Sequence, residues 1–249
     1  MSWEQSAQAW IAEMGEDGDF ARRFVLDPVM RTHALAGAPE TALDVGCGEG
    51  RFCRALNASG VRATGLDPTS ALIEEARRRD PSGRYVLGRA EDLPFADASF
   101  DLVVAYLSLI DIEDADAAMA EMARVLKPGG ALLIANLTSF NTAGADRGWV
   151  RDASGARLHF PIDHYLETRA VPVAFRGIRI VNHHRPLSFY MRRLIELGLR
   201  LTFFDEPAPT ADAPVERAEA YRRAPWFVVM EWAKSRDAPN EPSSARSTP

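Results

Sequence analysis

The sequence predicts an α/β protein built on a doubly wound, mostly parallel sheet, and three observations lead to this fold class. Short apolar segments alternate with helical segments between residues 41 and 137, which is the rhythm of βαβ units. Gly46, Gly48 and Gly50 form a turn between the first apolar segment and the helix after it. An acid, Asp67, ends the second apolar segment, as is typical of the first two strands of such a sheet.

Two helices are predicted ahead of the sheet. Apolar residues recur at helical spacing over residues 3–14, and residues 20–35 continue as a second helix that Pro28 kinks or splits. N-terminal helices in this position often cover the mouth of a doubly wound sheet. We therefore expect residues 1–36 to form a helical lid.

The sheet-forming region is predicted from apolar runs that glycine and proline interrupt. Its strands are expected at 41–45, 61–66, 85–87, 100–105 and 131–137, and its helices at 51–59, 70–79 and 115–126. The Lys-Pro-Gly-Gly run at 127–130 ends the last of these helices.

The later part of the chain departs from this rhythm. Residues 138–175 are irregular, and a long insertion of this kind in an α/β domain is usually functional. Strands are then predicted at 177–185, 199–204 and 226–232, and helices at 187–197 and 215–223. We divide the chain into a main domain at 37–235, an insertion at 138–186 that roofs the site, and a disordered tail at 236–249.

The composition is that of an ordinary globular chain and disfavours several classes of protein. Of 249 residues, 47% are hydrophobic and 26% are charged, and the net charge of −6 argues against a nucleic-acid partner. No apolar run reaches the roughly 18 residues of a membrane span, and no signal peptide is recognised, so a cytoplasmic location is expected. Cys47 and Cys53 lack metal-ligand spacing and no HExxH motif occurs, so no metal is predicted.

The glycine spacing discriminates between two kinds of ligand. The dinucleotide fingerprint is G-x-G-x-x-G, whereas this chain has G-x-G-x-G, with Arg51 in place of the third glycine. A pyrophosphate needs close approach to the helix N-terminus, and Glu49 and Arg51 change that surface. A ligand that carries an amino acid and a ribose, without phosphates, therefore fits this turn better.

Four motifs, taken in order, resemble those of the class I S-adenosylmethionine-dependent methyltransferases. They are LDVGCGEG at 43–50, GLDPT at 65–69, AEDLPF at 90–95 followed by FDLVVA at 100–105, and RVLKPGGALLIA at 124–135. Each motif alone is weak, but the ordered set is highly specific. The resemblance implies a seven-stranded sheet of order 3-2-1-4-5-7-6 with an antiparallel last strand. It also implies S-adenosylmethionine as cofactor and S-adenosylhomocysteine as product.

The resemblance assigns cofactor contacts to residues of this chain. Asp44 and the backbone at 46–48 would hold the methionine portion, because an ammonium and a sulfonium favour a nearby carboxylate. Asp67 would accept hydrogen bonds from both ribose hydroxyls, with a helix N-cap beside Pro68 as the alternative. Many relatives carry an acid where this chain has Arg89, so the adenine contact passes to the next two residues. The expected cofactor-binding residues are Asp44, Gly46, Cys47, Gly48, Asp67, Pro68, Ala90, Glu91, Ala105, Tyr106 and Arg22.

The acceptor is expected to be a small molecule. The segment AYLSLIDI at 105–112 lacks the Asn/Asp-Pro-Pro-aromatic signature with which amino-methylating nucleic-acid enzymes hold a flipped base. Tyr106 lies where the transferred methyl group would emerge, and it either shapes the acceptor pocket or forms an inert wall. In the predicted lid, Trp10 and Arg22 either cover the ligand or serve as packing and solvated charge.

The segment NHHRPLSFY at 182–190 resembles a run in small-molecule methyltransferases of the quinone and menaquinone C-methylating type. By this resemblance His184 is a general base and Arg185 a clamp for an acidic substrate group, and histidine suits the role because its pKa is near neutral. The alternative is structural, with Arg185 shaping the chain and His183 and His184 pairing with backbone groups. The expected catalytic residues are His184 and Tyr165, and the expected substrate contacts are Trp10, Tyr106, Tyr165, His184 and Arg185.

The predicted function is methyl transfer from S-adenosylmethionine to a small-molecule acceptor by in-line displacement, at an oxygen, nitrogen or carbon atom. Two alternatives stay open. The missing third glycine and the KPGG turn disfavour an NAD(P)-dependent oxidoreductase, and the long insertion disfavours a non-catalytic S-adenosylmethionine-binding module. The only expected partner is the small molecule, with no nucleic acid and no membrane, for a monomer or homodimer.

Overall fold

A computed structural model describes residues 2–144 and 148–236. Its strands are β1 (Thr41–Val45), β2 (Arg62–Asp67), β3 (Arg84–Leu87), β4 (Phe100–Tyr106), β5 (Leu126–Leu137), β6 (Val150–Arg151), β7 (Arg157–His159), β8 (Arg169–Phe175), β9 (Ile178–His184), β10 (Leu199–Asp205) and β11 (Phe227–Lys234). Its α-helices are α1 (Trp3–Met14), α2 (Asp27–Ala36), α3 (Arg51–Ala58), α4 (Ser70–Arg79), α5 (Ala115–Val125), α6 (Ser139–Gly144), α7 (Leu187–Glu196) and α8 (Val215–Arg223). Among the described residues, no helix combines the length and the apolar character that a membrane crossing requires.

The predicted helix at 20–35 is split into two elements, and the break lies ahead of Pro28. A π-helical turn, Arg22–Leu26, ends where α2 begins, and Pro28 occupies the first turn of α2. Proline is tolerated there because the first N–H groups of a helix have no intrahelical partner.

Seven strands form one sheet in the order β3-β2-β1-β4-β5-β11-β10. The neighbouring pairs from β3 to β5 are parallel, whereas β11 is antiparallel to both β5 and β10. Because β10 and β11 are the sixth and seventh strands of this sheet along the chain, the predicted order 3-2-1-4-5-7-6 is confirmed. The parallel strands are buried on both faces, which explains the nearly continuous apolar run of β4.

Helices cover both faces of the sheet. On one face, α2, α3 and α8 contribute Met30, Leu56 and Ala218 to an apolar layer. On the other face, α5 and α7 contribute Met119 and Leu194 to a second layer. Apolar side chains project from both faces of a parallel sheet, so both must be covered. The result is the predicted doubly wound α/β architecture.

Strand β1 marks the point at which the winding of the chain reverses. Asp44 of β1 is in register with Gly65 of β2 on one side and with Val104 of β4 on the other. The helices that follow β1 and β4 pack on opposite faces of the sheet. The loops that lead to them therefore separate and leave a crevice at the carboxyl ends of the strands, which is where open α/β sheets bind ligands.

The insertion at 138–186 is more ordered than the sequence predicts. It contains α6 and two antiparallel hairpins, β6–β7 and β8–β9. The prediction of an irregular chain up to residue 175 is therefore wrong, whereas the strand expected at 177–185 is confirmed as β9. Strand β8 escapes sequence-based detection because Pro172 lowers its strand propensity, and a two-stranded hairpin tolerates proline at its free edge. The predicted tail at 236–249 lies, apart from Arg236, outside the described residues.

Helix α1 crosses the crevice and contacts α4 and β9. The Glu4 carboxylate accepts hydrogen bonds from the backbone N–H of Ser70 at 3.0 Å and from its hydroxyl at 2.7 Å, at the N-terminus of α4. The Ser6 hydroxyl donates to the Arg179 carbonyl at 3.0 Å. Because these bonds satisfy polar groups on two separate elements, they fix α1 over the crevice.

A polar cluster joins the starts of β1, β4 and β5, at the opposite end of the strands from the crevice. The Asp101 carboxylate accepts hydrogen bonds from the backbone N–H and hydroxyl of Thr41 at 2.9 and 2.7 Å, and from the Lys127 ammonium at 2.8 Å. Burial opposes ionisation of Asp101, but the hydrogen bonds from Lys127 and Thr41 outweigh it and lower the pKa to about 2. The ionised carboxylate therefore ties the three strands together.

We expect Asp101→Asn to lower the free energy of unfolding at pH 7 by about 1–2 kcal/mol, because charge-assisted hydrogen bonds are lost. A lowered folded-state pKa contributes stability above the unfolded-state pKa, and this contribution disappears as the pH falls toward 2. Urea unfolding should therefore show a difference between wild type and variant that shrinks in acid. Asp92→Asn, at an exposed carboxylate, is the matched control. A difference that is independent of pH would contradict this account.

Candidate active site

A cavity of about 340 Å³ lies in the crevice between the loops that follow β1 and β4. Its lining comes from the glycine turn after β1, the ends of β2 and β4, helix α1, and β9. Small-molecule sites have this order of volume and combine apolar walls with a few polar groups. The carboxylates of Asp44, Asp67 and Asp111 are among the polar groups here.

The glycine turn packs against the segment that follows β4. Gly46 has a φ angle of 77°, and a Cβ atom added there would lie 2.3 Å from the Cβ of Ser108. The Ser108 hydroxyl donates to the Val45 carbonyl at 2.6 Å. Only glycine satisfies both the positive φ and this close approach.

The backbone N–H groups of the turn are bonded within the protein. Those of Gly46 and Cys47 donate to the Leu66 carbonyl at 2.7 and 3.0 Å. That of Gly48 donates to the Asp67 carboxylate at 3.0 Å. All three turn residues line the cavity. Because their N–H groups are already bonded, they can offer a ligand hydrogen bonds only through their carbonyl groups.

Asp44 presents a carboxylate oxygen that has no hydrogen-bond partner among the described residues. The residue is 1% exposed, Oδ1 is the unpartnered atom, and Oδ2 accepts a weak hydrogen bond from the Cys53 thiol at 3.6 Å. Burial is the main cause that raises the pKa of Asp44 to about 7. A buried, unpartnered carboxylate is costly, and a cation bound beside it would relieve the cost.

Asp67 ends β2 with one backbone hydrogen bond on each carboxylate oxygen. Oδ2 accepts from Gly48 at 3.0 Å and Oδ1 accepts from Thr69 at 2.9 Å. Burial raises the pKa of Asp67 in spite of these bonds. A carboxylate accepts up to about four hydrogen bonds, so both oxygens keep capacity for donors in the cavity. The N-cap residue of α4 is Thr69 and not Asp67.

The part of the cavity between the segments that follow β2 and β3 is an apolar slot with charged groups at its rim. Pro68, Leu72 and Ala90 line the slot. The Glu91 carboxylate pairs with Arg89 at 2.8 Å, and the Arg89 side chain is 70% exposed. The slot therefore suits a flat ring whose polar edge reaches the rim.

The mouth of the cavity holds a stack of aromatic and cationic side chains. The Arg22 guanidinium lies 4.7 Å from the ring centre of Trp10 and 5.8 Å from that of Tyr106. Trp10 also donates through its indole N–H to Glu49 at 2.9 Å, in the glycine turn. Arg22 pairs with Asp19 at 3.2 Å. Trp10, Arg22 and Tyr106, which the sequence predicts in the site, thus come together at its entrance.

Arg51, in place of the third glycine of the dinucleotide fingerprint, lines the cavity and is paired with Asp27. Its guanidinium donates to both Asp27 oxygens, at 2.7 and 2.8 Å. The Tyr106 hydroxyl donates to the same carboxylate at 2.7 Å. Burial, and then the Asp27 charge, raise the pKa of Tyr106 well above its usual range, so the phenol is neutral. This bidentate pair anchors the N-terminal segment to the turn.

Arg185 is a positioning residue in this structure and does not line the cavity. It is 3% exposed, and its guanidinium donates to the carbonyls of Leu109 at 3.2 Å, Ile112 at 2.6 Å and Glu113 at 2.8 Å. The expected clamp on an acidic substrate group has no support from this geometry. Arg185 instead fixes the segment after β4 through its carbonyl groups. This agrees with the alternative in which Arg185 has a structural role.

His184 and Tyr165 also lie outside the cavity lining. His184 is completely buried, with Nδ1 bonded to the Thr142 hydroxyl at 2.6 Å and Nε2 to the Tyr165 carbonyl at 2.9 Å. Burial lowers the pKa of His184. The Tyr165 hydroxyl accepts from the Leu187 N–H at 3.4 Å. Both ring nitrogens of His184 are therefore occupied, and the geometry gives neither residue access to a substrate.

Residues other than His184 and Tyr165 line the cavity. His183 of β9 lines the cavity, together with Ile180 and Val181 of the same strand. Asp111 and Trp3 line it as well, and the acid in AYLSLIDI was the signal in the sequence for Asp111. Ala105, expected to contact the cofactor, is fully buried in the apolar core. Within the described ranges, no group of three or more His, Cys, Asp or Glu side chains is arranged to hold a metal ion.

Comparison with known proteins relates this geometry to methyltransferases. A family model described as a methyltransferase domain matches residues 43–134. The chain is 36% identical over 150 residues to the malonyl-[acyl-carrier protein] O-methyltransferase of Serratia marcescens, covering 60% of this chain and 58% of that one. It is 37% identical over 119 residues to the demethylmenaquinone methyltransferase of Beutenbergia cavernae, covering 47% of each.

A solved structure extends the likeness beyond the matched segment. The crystal structure of an S-adenosylmethionine-dependent methyltransferase from Mesorhizobium loti superposes with a TM-score of 0.73 and 27% identity, covering 88% of this chain and 100% of that one. The chain spans about half the length of the curated relatives it matches.

Arg185→Lys is expected to lower the free energy of unfolding by about 1–3 kcal/mol, because an ammonium cannot replace the guanidinium on three buried carbonyls. Chemical denaturation would measure the change. Arg192→Lys, at an exposed position on α7, is the control and should be neutral. Full stability of Arg185→Lys would argue against the positioning role.

Proposed function

We propose that the chain transfers a methyl group from S-adenosylmethionine to a small-molecule acceptor. Residues 43–134 belong to the methyltransferase-domain family, and the fold is of the class I S-adenosylmethionine-dependent type. The observation that carries this proposal is the presence of two buried carboxylates, Asp44 and Asp67, in one cavity at the reversal point of the sheet. Asp44 offers an unpartnered oxygen to a cation, and Asp67 keeps acceptor capacity for a diol. S-adenosylmethionine carries both groups.

The same features disfavour a nicotinamide dinucleotide. A pyrophosphate needs free backbone N–H donors or cations at the turn, whereas the N–H groups of Gly46, Cys47 and Gly48 donate within the protein. Arg51 is bound by Asp27 and is not free to receive a phosphate. The carboxylates in the cavity would also repel a diphosphate.

In the proposed placement, each part of the cofactor lies against a different group of cavity residues. Asp44 receives the ammonium group, and Arg22 at the mouth receives the carboxylate of the methionine portion. Asp67 accepts from the ribose hydroxyls. The slot beside Ala90 receives the adenine ring, with Glu91 near its amino group.

When bound, S-adenosylmethionine supplies a methyl group that its sulfonium already activates, so the protein has to align the reactants and exclude water. Tyr106 is held by its hydroxyl on Asp27 and forms a rigid wall at the end of β4. Trp3 and Trp10 of α1 cover the crevice in edge-to-face contact, with ring centres 5.0 Å apart. On this basis we assign residues 1–36 the role of a lid.

We propose that the insertion at 138–186 recognises the acceptor. It lies outside the matched segment at 43–134, and its strand β9 lines the cavity with Ile180 and Val181. The Serratia relative is named for a carrier-bound malonyl group and the Beutenbergia relative for demethylmenaquinone. Methyltransferases with such different acceptors are expected to differ where the acceptor binds.

Turnover of labelled S-adenosylmethionine in an acceptor panel would exclude a non-catalytic binding module.

Titration calorimetry tests the cofactor. S-adenosylhomocysteine should bind the wild-type protein and NAD should not. Asp67→Asn should weaken S-adenosylhomocysteine binding by about 1–3 kcal/mol, because a charged acceptor is lost. Glu74→Gln, at an exposed carboxylate on α4, should leave the affinity unchanged. Unchanged affinity in an Asp67→Asn protein that still melts cooperatively would refute the ribose assignment.

The affinity for S-adenosylmethionine should rise between pH 6 and pH 8. Asp44, with a pKa of about 7 in the free protein, must lose its proton to face a cationic group, so binding weakens in acid and strengthens in base. Asp44→Asn should reduce this pH dependence. Dissociation constants measured across this range would reveal the effect. A flat wild-type profile would remove Asp44 from the binding of the cation.

A further inference from the structure

One wall of the cavity comes from the segment after β4 and from β9, and the proposed cofactor placement does not use it. Its apolar surface comes from aliphatic side chains and one tryptophan, and its acid is the half-buried Asp111. We name this surface the acceptor wall, and its members are Trp3, Asp111, Ile112, Ile180, Val181 and His183.

The Asp111 carboxyl group is held in place from two elements. Its Oδ1 accepts a hydrogen bond from the Asn182 amide at 2.6 Å. Its backbone N–H donates to the Ser108 carbonyl at 2.9 Å, and the His183 N–H of β9 donates to the Ile110 carbonyl at 2.7 Å. Because Asn182 is itself buried, its amide needs this acceptor. One carboxyl oxygen is thus fixed, and the group is oriented within the cavity lining.

The charges around Asp111 do not suit an anionic acceptor. The charges of Arg22 and Asp67 act on its carboxyl group, and Glu113 and His183 line the same cavity. Arg22 is assigned to the methionine carboxylate in the proposed cofactor placement, and burial lowers the pKa of His183, so its imidazole is neutral at pH 7. A carboxylate or phosphate on this wall would therefore meet acids without a matching cation. The acceptor group that reaches Asp111 is best matched if it is neutral.

We propose that Asp111 binds the acceptor and removes its proton, that Asn182 positions Asp111, and that the acceptor is a neutral hydroxyl compound of the phenol or enol class. This inference rests on the proposed methyltransferase function. A neutral hydroxyl group is a weak nucleophile until a base takes its proton. Burial raises the pKa of Asp111 to about 8, against the hydrogen bonds from Asn182 and Trp3, and so brings its basicity closer to that of a phenol.

In the proposed step, the hydroxyl proton passes to the Asp111 carboxylate while the acceptor oxygen forms a bond to the methyl carbon. The methyl–sulfur bond breaks, and its electron pair stays on sulfur. The products are the methyl ether and S-adenosylhomocysteine. The proton then leaves Asp111 for solvent, and the Asn182 amide keeps one carboxyl oxygen fixed throughout.

Methyl transfer from methyl-labelled S-adenosylmethionine tests this assignment with four matched probes: p-cresol, p-nitrophenol, p-toluidine and p-toluic acid. The two phenols differ in one respect that matters, because p-nitrophenol is largely ionised at a mildly basic assay pH and needs no base. The variants are Asp111→Asn, Asn182→Ala and His183→Gln, and Glu74→Gln is the surface control.

We expect wild type to methylate both phenols, with a higher KM for p-nitrophenol because its ionised form is an anion beside acids. Asp111→Asn should lower kcat for p-cresol by about 100-fold or more and kcat for p-nitrophenol by far less. Wild-type kcat/KM for p-cresol should rise with pH up to about pH 8, and Asp111→Asn should lose this rise. Asn182→Ala should show a smaller loss of the same kind. The S-adenosylhomocysteine affinity of Asp111→Asn should match that of wild type.

Four results would overturn the inference. They are equal losses with both phenols, which indicate a structural role; a p-cresol defect confined to His183→Gln; transfer only to the amine or the carboxylic acid; and no transfer to either phenol. Failure of the proposed function is distinguishable, because the wild-type protein would then not bind S-adenosylhomocysteine, or would bind it and methylate no member of the acceptor panel.

Discussion

The close packing of the glycine turn against the segment after β4 is the constraint on which the rest of the site depends. Gly46 and Ser108 approach so closely that any side chain on Gly46 would overlap the serine. The Ser108 hydroxyl secures the approach with a hydrogen bond to the Val45 carbonyl at 2.6 Å. This contact arises where β1 and β4 are neighbours and their loops leave for opposite faces of the sheet. It brings the residues proposed to bind the cofactor and those proposed to face the acceptor around one cavity.

The electrostatic character of this cavity follows from burial. Asp44, Asp67 and Asp111 line it, and burial raises the pKa of all three carboxyl groups. Asp67 also raises the pKa of both of the others through its charge. Without a cation nearby, such a cluster favours protonated forms, whereas a bound sulfonium and ammonium favour the ionised forms. Cofactor binding and the ionisation of Asp44 and Asp67 are therefore coupled through a shared field.

Features that depend on neighbours in the chain could be predicted from the sequence. Thr41–Val45 and Ser70–Arg79 have the bounds that apolar runs and stop signals indicate, and the order of the seven sheet strands follows from the family resemblance. The residues predicted to bind the cofactor line one cavity, and most of them could be found because they cluster in short motifs at strand ends. Ala105 was the exception, since its position at the end of β4 did not show that it faces the core.

By itself, the sequence determined the strand–turn–helix units and the acids that follow them, because local periodicity and turn chemistry encode both. Only the tertiary structure decided which distant groups meet. Asp111 and Asn182 are 71 residues apart and share a hydrogen bond, and Arg185 supports the segment after β4 from behind. The strand register placed His183 in the cavity and His184 outside it. A shift of one residue reverses every side chain of a strand, and long-range pairing, which no local pattern records, sets that register.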